Sequence, residues 1–172
     1  NCFMGGGVFQ TYIPETVKTL ATRSEFMTAY TPYQAEVSQG TLQTVFEFQT
    51  MICQLTDMDI ANASMYDGAT AMVEAMRMAM SINRKRTRLL VAGNIIPRWR
   101  EVLNTYFACV DVKVDYLQTN GLLVNQEELR EKCSDDLVAI VIQSPNAFGM
   151  LEDVKAISAL AKENGALLIQ GF

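Results

Sequence analysis

An α/β fold, a mostly parallel sheet flanked by helices, is predicted by three features of this 172-residue chain. Strand-like and helix-like runs alternate through its second half. One run, Leu137-Val-Ala-Ile-Val-Ile142, is continuously apolar and β-branched, the pattern of a strand covered on both faces. Between successive strand-like runs lies enough chain for a crossover helix, which in a compact domain joins parallel strands.

The elements follow in order. Pro14 opens a short helix reaching Ala21, and Thr41 to Leu55 forms a strongly amphipathic one. Its apolar face carries Leu42, Val45, Phe46, Phe48, Met51, Ile52 and Leu55, and Cys53 on that face reads as a buried structural thiol. From Gly68 to Asn83 the residues Ala69, Ala71, Met72, Ala75, Met76 and Ala79 recur at helical spacing. Arg88 to Ala92 reads as a buried strand, Pro97 to Ala108 as a helix, and Val110 to Val114 as an alternating strand. A turn at Asn120-Gly121 precedes a helix capped by Asn125 with Glu128 and ending near Lys132. Asp153 to Asn164 is helical with Gly165 in the C-terminal position, and Ala166 to Ile169 is a last strand. Residues 1–40 are expected to form an N-terminal segment and loop, and 41–172 a single, incomplete α/β portion. The start at Asn1, without an initiator methionine, and the stop at Phe172 straight after an apolar strand are expected of a piece of something larger.

Composition narrows the function. Hydrophobic residues make up 49% of the chain, enough for one sizeable core. A net charge of −5 argues against nucleic acid or an anionic membrane as partner. The only basic run, Arg84-Lys85-Arg86-Thr87-Arg88, reads as a solvated connector whose charges favour a helix C-terminus. The chain has no histidine, which removes Ser-His-Asp and Cys-His catalysis and histidine metal sites. Its four cysteines, Cys2, Cys53, Cys109 and Cys133, are scattered, with no CxxC pair or zinc spacing, so no metal is expected and a cytoplasmic, reducing compartment is. No apolar run spans a bilayer and no signal-peptide pattern opens the chain.

Two segments carry candidate chemistry. The turn Asp67-Gly68 opens a helix whose free N–H groups and dipole suit an anion, commonly a phosphate, with Ser64, Gly68, Ala69 and Thr70 as the candidate seat. The competing reading is that Ser64 or Asp67 simply caps a surface helix. Ahead of it lies an aromatic, amide-rich loop, Tyr30-Thr-Pro-Tyr-Gln34, continuing through Ser38 and Gln39. In parallel sheets ligands gather beyond the carboxyl ends of the strands, which points to the loops after Ala92, Gln143 and Gln170. Gln143-Ser-Pro-Asn146 is such a loop, and ordinary turn chemistry is the simpler reading of it. Gly5, Gly6 and Gly7 continue into neither GK[ST] nor GxGxxG and follow no strand, so a flexible or closely packed loop is expected there.

These residues carry a resemblance. Tyr12-Ile-Pro14, Arg23-Ser-Glu-Phe26, Tyr30-Thr-Pro-Tyr-Gln34, Val37-Ser-Gln-Gly40, Phe48-Gln-Thr-Met51, Ala61-Asn-Ala-Ser-Met-Tyr-Asp-Gly-Ala-Thr70 and Gln143-Ser-Pro-Asn146 occur in collinear order over essentially the whole chain. Together they resemble the glycine decarboxylase, or P-protein, family of the glycine cleavage system, and more narrowly its N-terminal half, a separate subunit 1 in many prokaryotes.

The resemblance implies part of the large domain of the fold-type I architecture of pyridoxal-phosphate enzymes. It implies glycine as substrate, decarboxylated on pyridoxal phosphate with aminomethyl transfer to the lipoylated H-protein. In that family the lysine that anchors the cofactor lies on the C-terminal half, or on a catalytic subunit 2. Lys18, Lys85, Lys113, Lys132, Lys155 and Lys162 do not sit where such a lysine would, so this chain alone should be inactive and hold no cofactor covalently. Ile96-Pro-Arg-Trp-Arg-Glu101 stands where relatives carry a His-Pro-Glu-Tyr-Arg-Glu segment whose first histidine stacks on the cofactor ring, and Thr11 replaces a histidine before Tyr12. A supporting role follows, in which Tyr30, Thr31, Tyr33, Gln34 and Gln39 reach the cofactor or glycine carboxylate held by the partner half. Packing of Tyr30 and Tyr33 at the interface is the alternative for the rings, and Ser38 is expected to cap the Thr41 helix. Two other functions remain open: a truncated aminotransferase-like or desulfurase-like enzyme, and a non-catalytic scaffold that dimerises and docks the lipoyl protein. The scaffold is favoured if side chains fill the Gly68-Ala-Thr70 turn.

Overall fold

The computed structural model describes residues 11–27, 34 and 37–172, which fall into two compact units meeting in sequence at Met65 and Tyr66. The candidate residues Tyr30, Thr31 and Tyr33, the Gly5–Gly7 run and Cys2 lie outside the described residues.

In the first unit, α1 (Glu15–Ala21), α2 (Ser24–Met27) and α3 (Gln39–Thr56) are helical. Helix α3 carries the expected apolar periodicity but buries none of its residues fully. Phe46 is 69% exposed and Leu55 81%, so the periodic face is not covered by the described residues, and Cys53 is half-buried rather than buried. Periodicity reports that a face is apolar; what covers it is a separate matter. Ser38 does stand at the N-cap of α3, but its side chain makes no capping hydrogen bond, and the helix begins at Gln39, two residues before the expected Thr41.

The second unit holds a four-stranded sheet in the order β2-β1-β5-β6, every pairing parallel. The strands are β1 (Arg88–Ala92), β2 (Lys113–Leu117), β5 (Leu137–Gln143) and β6 (Leu167–Gly171). Leu89 to Ala92 and Leu137 to Ile142 are inaccessible to solvent, as central parallel strands covered on both faces must be. The crossovers run through α5 (Pro97–Phe107), α6 (Gln126–Lys132) and α7 (Val154–Glu163), with α4 (Gly68–Ile82) preceding β1. Helix α4 buries Ala69, Met72, Val73, Met76 and Ala79 at the predicted spacing, packing on α5, β5 and β6.

Strand β2 lies three residues later than its alternation suggested. The chain leaving α5 first turns, with Val110 N–H donating to the Phe107 carbonyl and Val112 N–H to that of Val110, and Lys113 then pairs with Arg88. The phase was right all the same, because Val112, Val114 and Tyr116 share the half-buried face and only Leu117 is fully buried. A small hairpin, β3 (Thr119–Asn120) with β4 (Leu123–Val124), brackets the predicted turn, where Gly121 takes a φ of +65° that suits glycine. Asn125 caps α6, accepting from the N–H groups of Glu127 and Glu128. Glu128 does not return the bond as a capping-box partner; its carboxylate accepts from Gln118 N–H and pairs with Lys132.

The basic run is only partly a solvated connector. Arg86 Nη1 donates to the carbonyls of Leu137 (2.7 Å), Asn164 (2.9 Å) and Gly165 (2.9 Å), tying the start of β5 to the end of α7. Arg88 pairs with Asp115 on β2 at 2.7 Å and reaches Ser134 and the carbonyl of Lys132. Both arginines therefore serve the fold. Among the described residues no helix is long and apolar enough to cross a membrane.

Candidate functional site

The carboxyl ends of β1, β5 and β6 converge on a braced polar centre. Glu152, on the loop before α7, is buried, and its Oε1 accepts from the side-chain amides of Asn94 (2.6 Å) and Asn146 (2.8 Å). Its Oε2 accepts from Val124 N–H at 3.1 Å, and its own N–H donates to Ser144 Oγ. Asn94 and Asn146 also donate to the Leu122 carbonyl, so one carboxylate ties the loops after β1 and β5 to the hairpin. Gln143 closes the set by accepting the N–H of Ile96 at 2.8 Å, which anchors the start of α5. The Gln143-Ser-Pro-Asn146 segment is thus a structural knot, with Gln143, Ser144 and Asn146 all buried, where the sequence favoured an ordinary turn. Glu152, which the sequence reading did not single out, is the residue on which the knot converges. Its only signal was an acid directly before the Asp153 cap.

Beside this centre lies a groove of about 300 Å³, lined by Gly68, Met72, Trp99, Gly171 and Phe172 among others. The Trp99 indole forms part of its wall. A Cβ placed on Gly68 would fall 2.8 Å from Trp99 Cη2, and one on Gly171 would fall 2.7 Å from Trp99 Cζ3 and 2.9 Å from Met72 Cε. Both positions therefore need glycine for close approach rather than for unusual backbone angles. The ring comes from the only tryptophan in the chain, three residues past Ile96, and the sequence reading passed over it.

At the entrance of α4 the N–H groups expected to hold an anion face a carboxylate of the chain itself. Asp67 Oδ1 accepts from Thr70 N–H and from Thr70 Oγ1, both at 2.8 Å, while Thr70 Oγ1 receives the Asp67 N–H at 3.2 Å. This reciprocal capping box holds the Asp67 carboxyl below the usual aspartate range, chiefly through the Thr70 N–H, then the Thr70 hydroxyl, with the Arg98 charge and Ala69 N–H adding to it. Ser64, the fourth candidate, belongs to the first unit, where its N–H donates to Asn62 Oδ1 at 3.0 Å. Of the amide loop, the described Gln34 and Gln39 are exposed, and their side chains engage no described partner. The six lysines lie elsewhere: Lys18 on α1, Lys85 in the turn after α4, Lys113 on β2, Lys132 on α6, and Lys155 and Lys162 on α7.

Comparison with known proteins decides the family. The sequence profile of the glycine cleavage system P-protein matches residues 1–171. The chain belongs to the P-protein family. It is 51% identical over 169 residues to the probable glycine dehydrogenase (decarboxylating) subunit 1 of Prosthecochloris aestuarii, a match covering 97% of this chain and 38% of that protein. A protein of the same description from Solibacter usitatus is 50% identical over 173 residues, covering 99% and 38%. The chain thus spans a little over a third of the length of the curated relatives it matches. Among solved structures, an inhibitor-bound glycine decarboxylase (P-protein) superposes with a TM-score of 0.89 at 43% identity, over 96% of this chain and 37% of that one. A NifS-like protein superposes with a TM-score of 0.73 at 14% identity, over 93% and 46%, which shows the shared fold-type I architecture alone. P-protein membership sets aside the truncated aminotransferase or desulfurase as a reading of this chain.

Three expected outcomes follow from the site. Replacing Glu152 by Gln sets an amide against at least one of three buried donors whichever way it turns, and should destabilise the fold by about 2–4 kcal/mol in denaturant unfolding; a loss below about 0.5 kcal/mol would contradict the brace. Phosphate should leave the melting temperature of the chain unchanged but raise that of Asp67→Ala. Because the ionised Asp67 is favoured in the folded state, its contribution is present above the ordinary aspartate pKa of about 3.9 and lost as pH falls through the lower folded value. Asp67→Asn should lack that acid-range change; phosphate protection of the unaltered chain would overturn the self-capped entrance.

Proposed function

We propose that this chain is part of the supporting half of a glycine decarboxylase, completing from outside a pocket in which the lysine-bearing partner half holds pyridoxal phosphate. The observation that carries this reading is the family match along the whole chain, at about half identity to subunit 1 proteins. The residues of this half's own groove do not suit the cofactor. The Asp67 carboxylate lies over Thr70 N–H, where a phosphate would have to go, and the Trp99 ring occupies the space between Gly68 and Gly171. No step is therefore assigned to a cofactor bound on this chain.

What this chain supplies is orientation. Tyr30, Thr31, Tyr33, Gln34 and Gln39 are proposed to direct neutral hydrogen-bond donors at the glycine carboxylate or the cofactor in the partner's pocket, fixing glycine for loss of carbon dioxide. Neutral amides and hydroxyls orient a carboxylate without holding it as tightly as a cation would, which suits a group that must leave. The aminomethyl remainder would pass to a lipoylated H-protein, and the assembly is proposed to work in the cytoplasm. A second reading, a scaffold that only assembles and docks, is favoured by the side chains that fill the Gly68-Ala-Thr70 entrance.

One experiment separates the two. In the assembled enzyme, Tyr33→Phe and Gln34→Ala should each lower glycine–bicarbonate exchange, since removing one oriented donor in a dry site costs about 2–4 kcal/mol of transition-state stabilisation. Subunit affinity should stay unchanged. Full exchange activity in both variants would sink the orienting role and leave the scaffold.

A further inference from the structure

The C-terminal ends of α4 and α5 form a second groove of about 530 Å³, on other residues than the one beside Trp99. Met80 and Phe107 make its apolar floor and the exposed ring of Tyr106 one wall, while Arg77 and Arg84 stand on its rim. Arg84 has a single long hydrogen bond, 3.4 Å from Nε to the Ser81 carbonyl. The Arg77 guanidinium has no hydrogen-bond or ion-pair partner among the described residues, and no carboxylate pairs with Lys85 next to the rim.

The helix dipole accounts for only part of this charge. Cations favour the last turn of a helix, which suits Arg84 and Lys85 just past Ile82. Arg77 lies five residues before the end of α4, beyond the reach of that effect. The fold has a use for Arg86 and Arg88 but none for Arg77. Two guanidiniums without carboxylates, on an acidic chain, flank an apolar floor made of residue types enriched at interface centres.

We propose that this groove is a docking surface for an acidic, amphipathic segment of another protein. Its apolar side chains would cover Met80, Phe107 and Tyr106, and its carboxylates would meet Arg77 and Arg84, where bidentate pairing adds geometric specificity. An anionic membrane is the poorer occupant, because the net charge of −5 opposes a broad negative surface more than a narrow acidic ligand that meets only the two arginines. The proposal stands independently of the orienting role given to the Tyr30–Gln39 loop.

The test uses the full chain in its assembled enzyme and a fluorescent, end-blocked helical peptide carrying Leu and Glu at i, i+4 spacing, with its Gln counterpart as control. Binding read by anisotropy should weaken about tenfold in Arg77→Glu with Arg84→Glu, and by a similar factor between 50 and 300 mM salt. The Gln peptide should bind at least tenfold more weakly than the Glu peptide. Reversal of two distant cations, Arg130→Glu with Lys162→Glu, should change affinity less than twofold. All four substituted positions are exposed, and unchanged melting temperatures confirm that each variant folds. No binding of the Glu peptide at 1 mM, equal loss on distant charge reversal, or binding of phosphatidylglycerol vesicles through Arg77 and Arg84 without the peptide would each overturn the proposal.

Discussion

The contact between the Trp99 indole and the backbone at Gly68 and Gly171 organises the second unit. It joins the first residue of α4, the third residue of α5 and the last residue of β6 at one point. An aromatic ring can lie against a peptide plane only where no Cβ intervenes, so two glycines distant in sequence become a matched requirement of one tryptophan. Gly93 imposes a similar limit nearby, where a Cβ would run into the Leu117 carbonyl of the neighbouring strand's end. Backbone packed this closely leaves little freedom for the strand-end loops.

Electrostatics complete what this packing begins. Glu152 is buried as an acceptor for three donors from three different segments, and removing water from such a group is tolerable only because each oxygen is engaged. Asn94 Oδ1 is the one buried side-chain nitrogen or oxygen among the described residues without a hydrogen-bond partner. The orientation of that amide follows from the network, since a flipped Asn94 would set oxygen against both the Leu122 carbonyl and the Glu152 carboxylate. A groove built on so rigid a base is suited to presenting a fixed surface to a partner rather than to closing over a ligand of its own.

Much of this fold was legible in the chain because its signals are local. The Leu137–Ile142 run, the Ala/Met spacing after Gly68, Pro97 and Gly165 each declare an element through chemistry within one or two turns. The start of β2 was not legible, because a period of two gives the phase of a strand but not its first residue, and a turn after Phe107 took the residues that looked like strand. The exposed face of α3 shows the converse limit: a helical stripe predicts burial without naming what buries it. The site was harder. Asp67 could be read as a cap or as the threshold of an anion site from the same three letters, and only the Thr70 contacts separate the two. Trp99 acts through Gly68 and Gly171, and Glu152 through Asn94 and Val124 as well as the nearby Asn146, so most of what fixes either residue is far from it in sequence.

The central proposal is that the Asp67 cap and the Trp99 ring leave no seat for the cofactor on this chain, which serves a cofactor held by the partner half. The most direct measurement is borohydride reduction of the assembled, cofactor-loaded enzyme, followed by digestion and mapping of the reduced pyridoxyl label by mass spectrometry. The account predicts one label per pair of halves, on a lysine of the partner, and none on Lys18, Lys85, Lys113, Lys132, Lys155 or Lys162. A stoichiometric label on any of those six would contradict it.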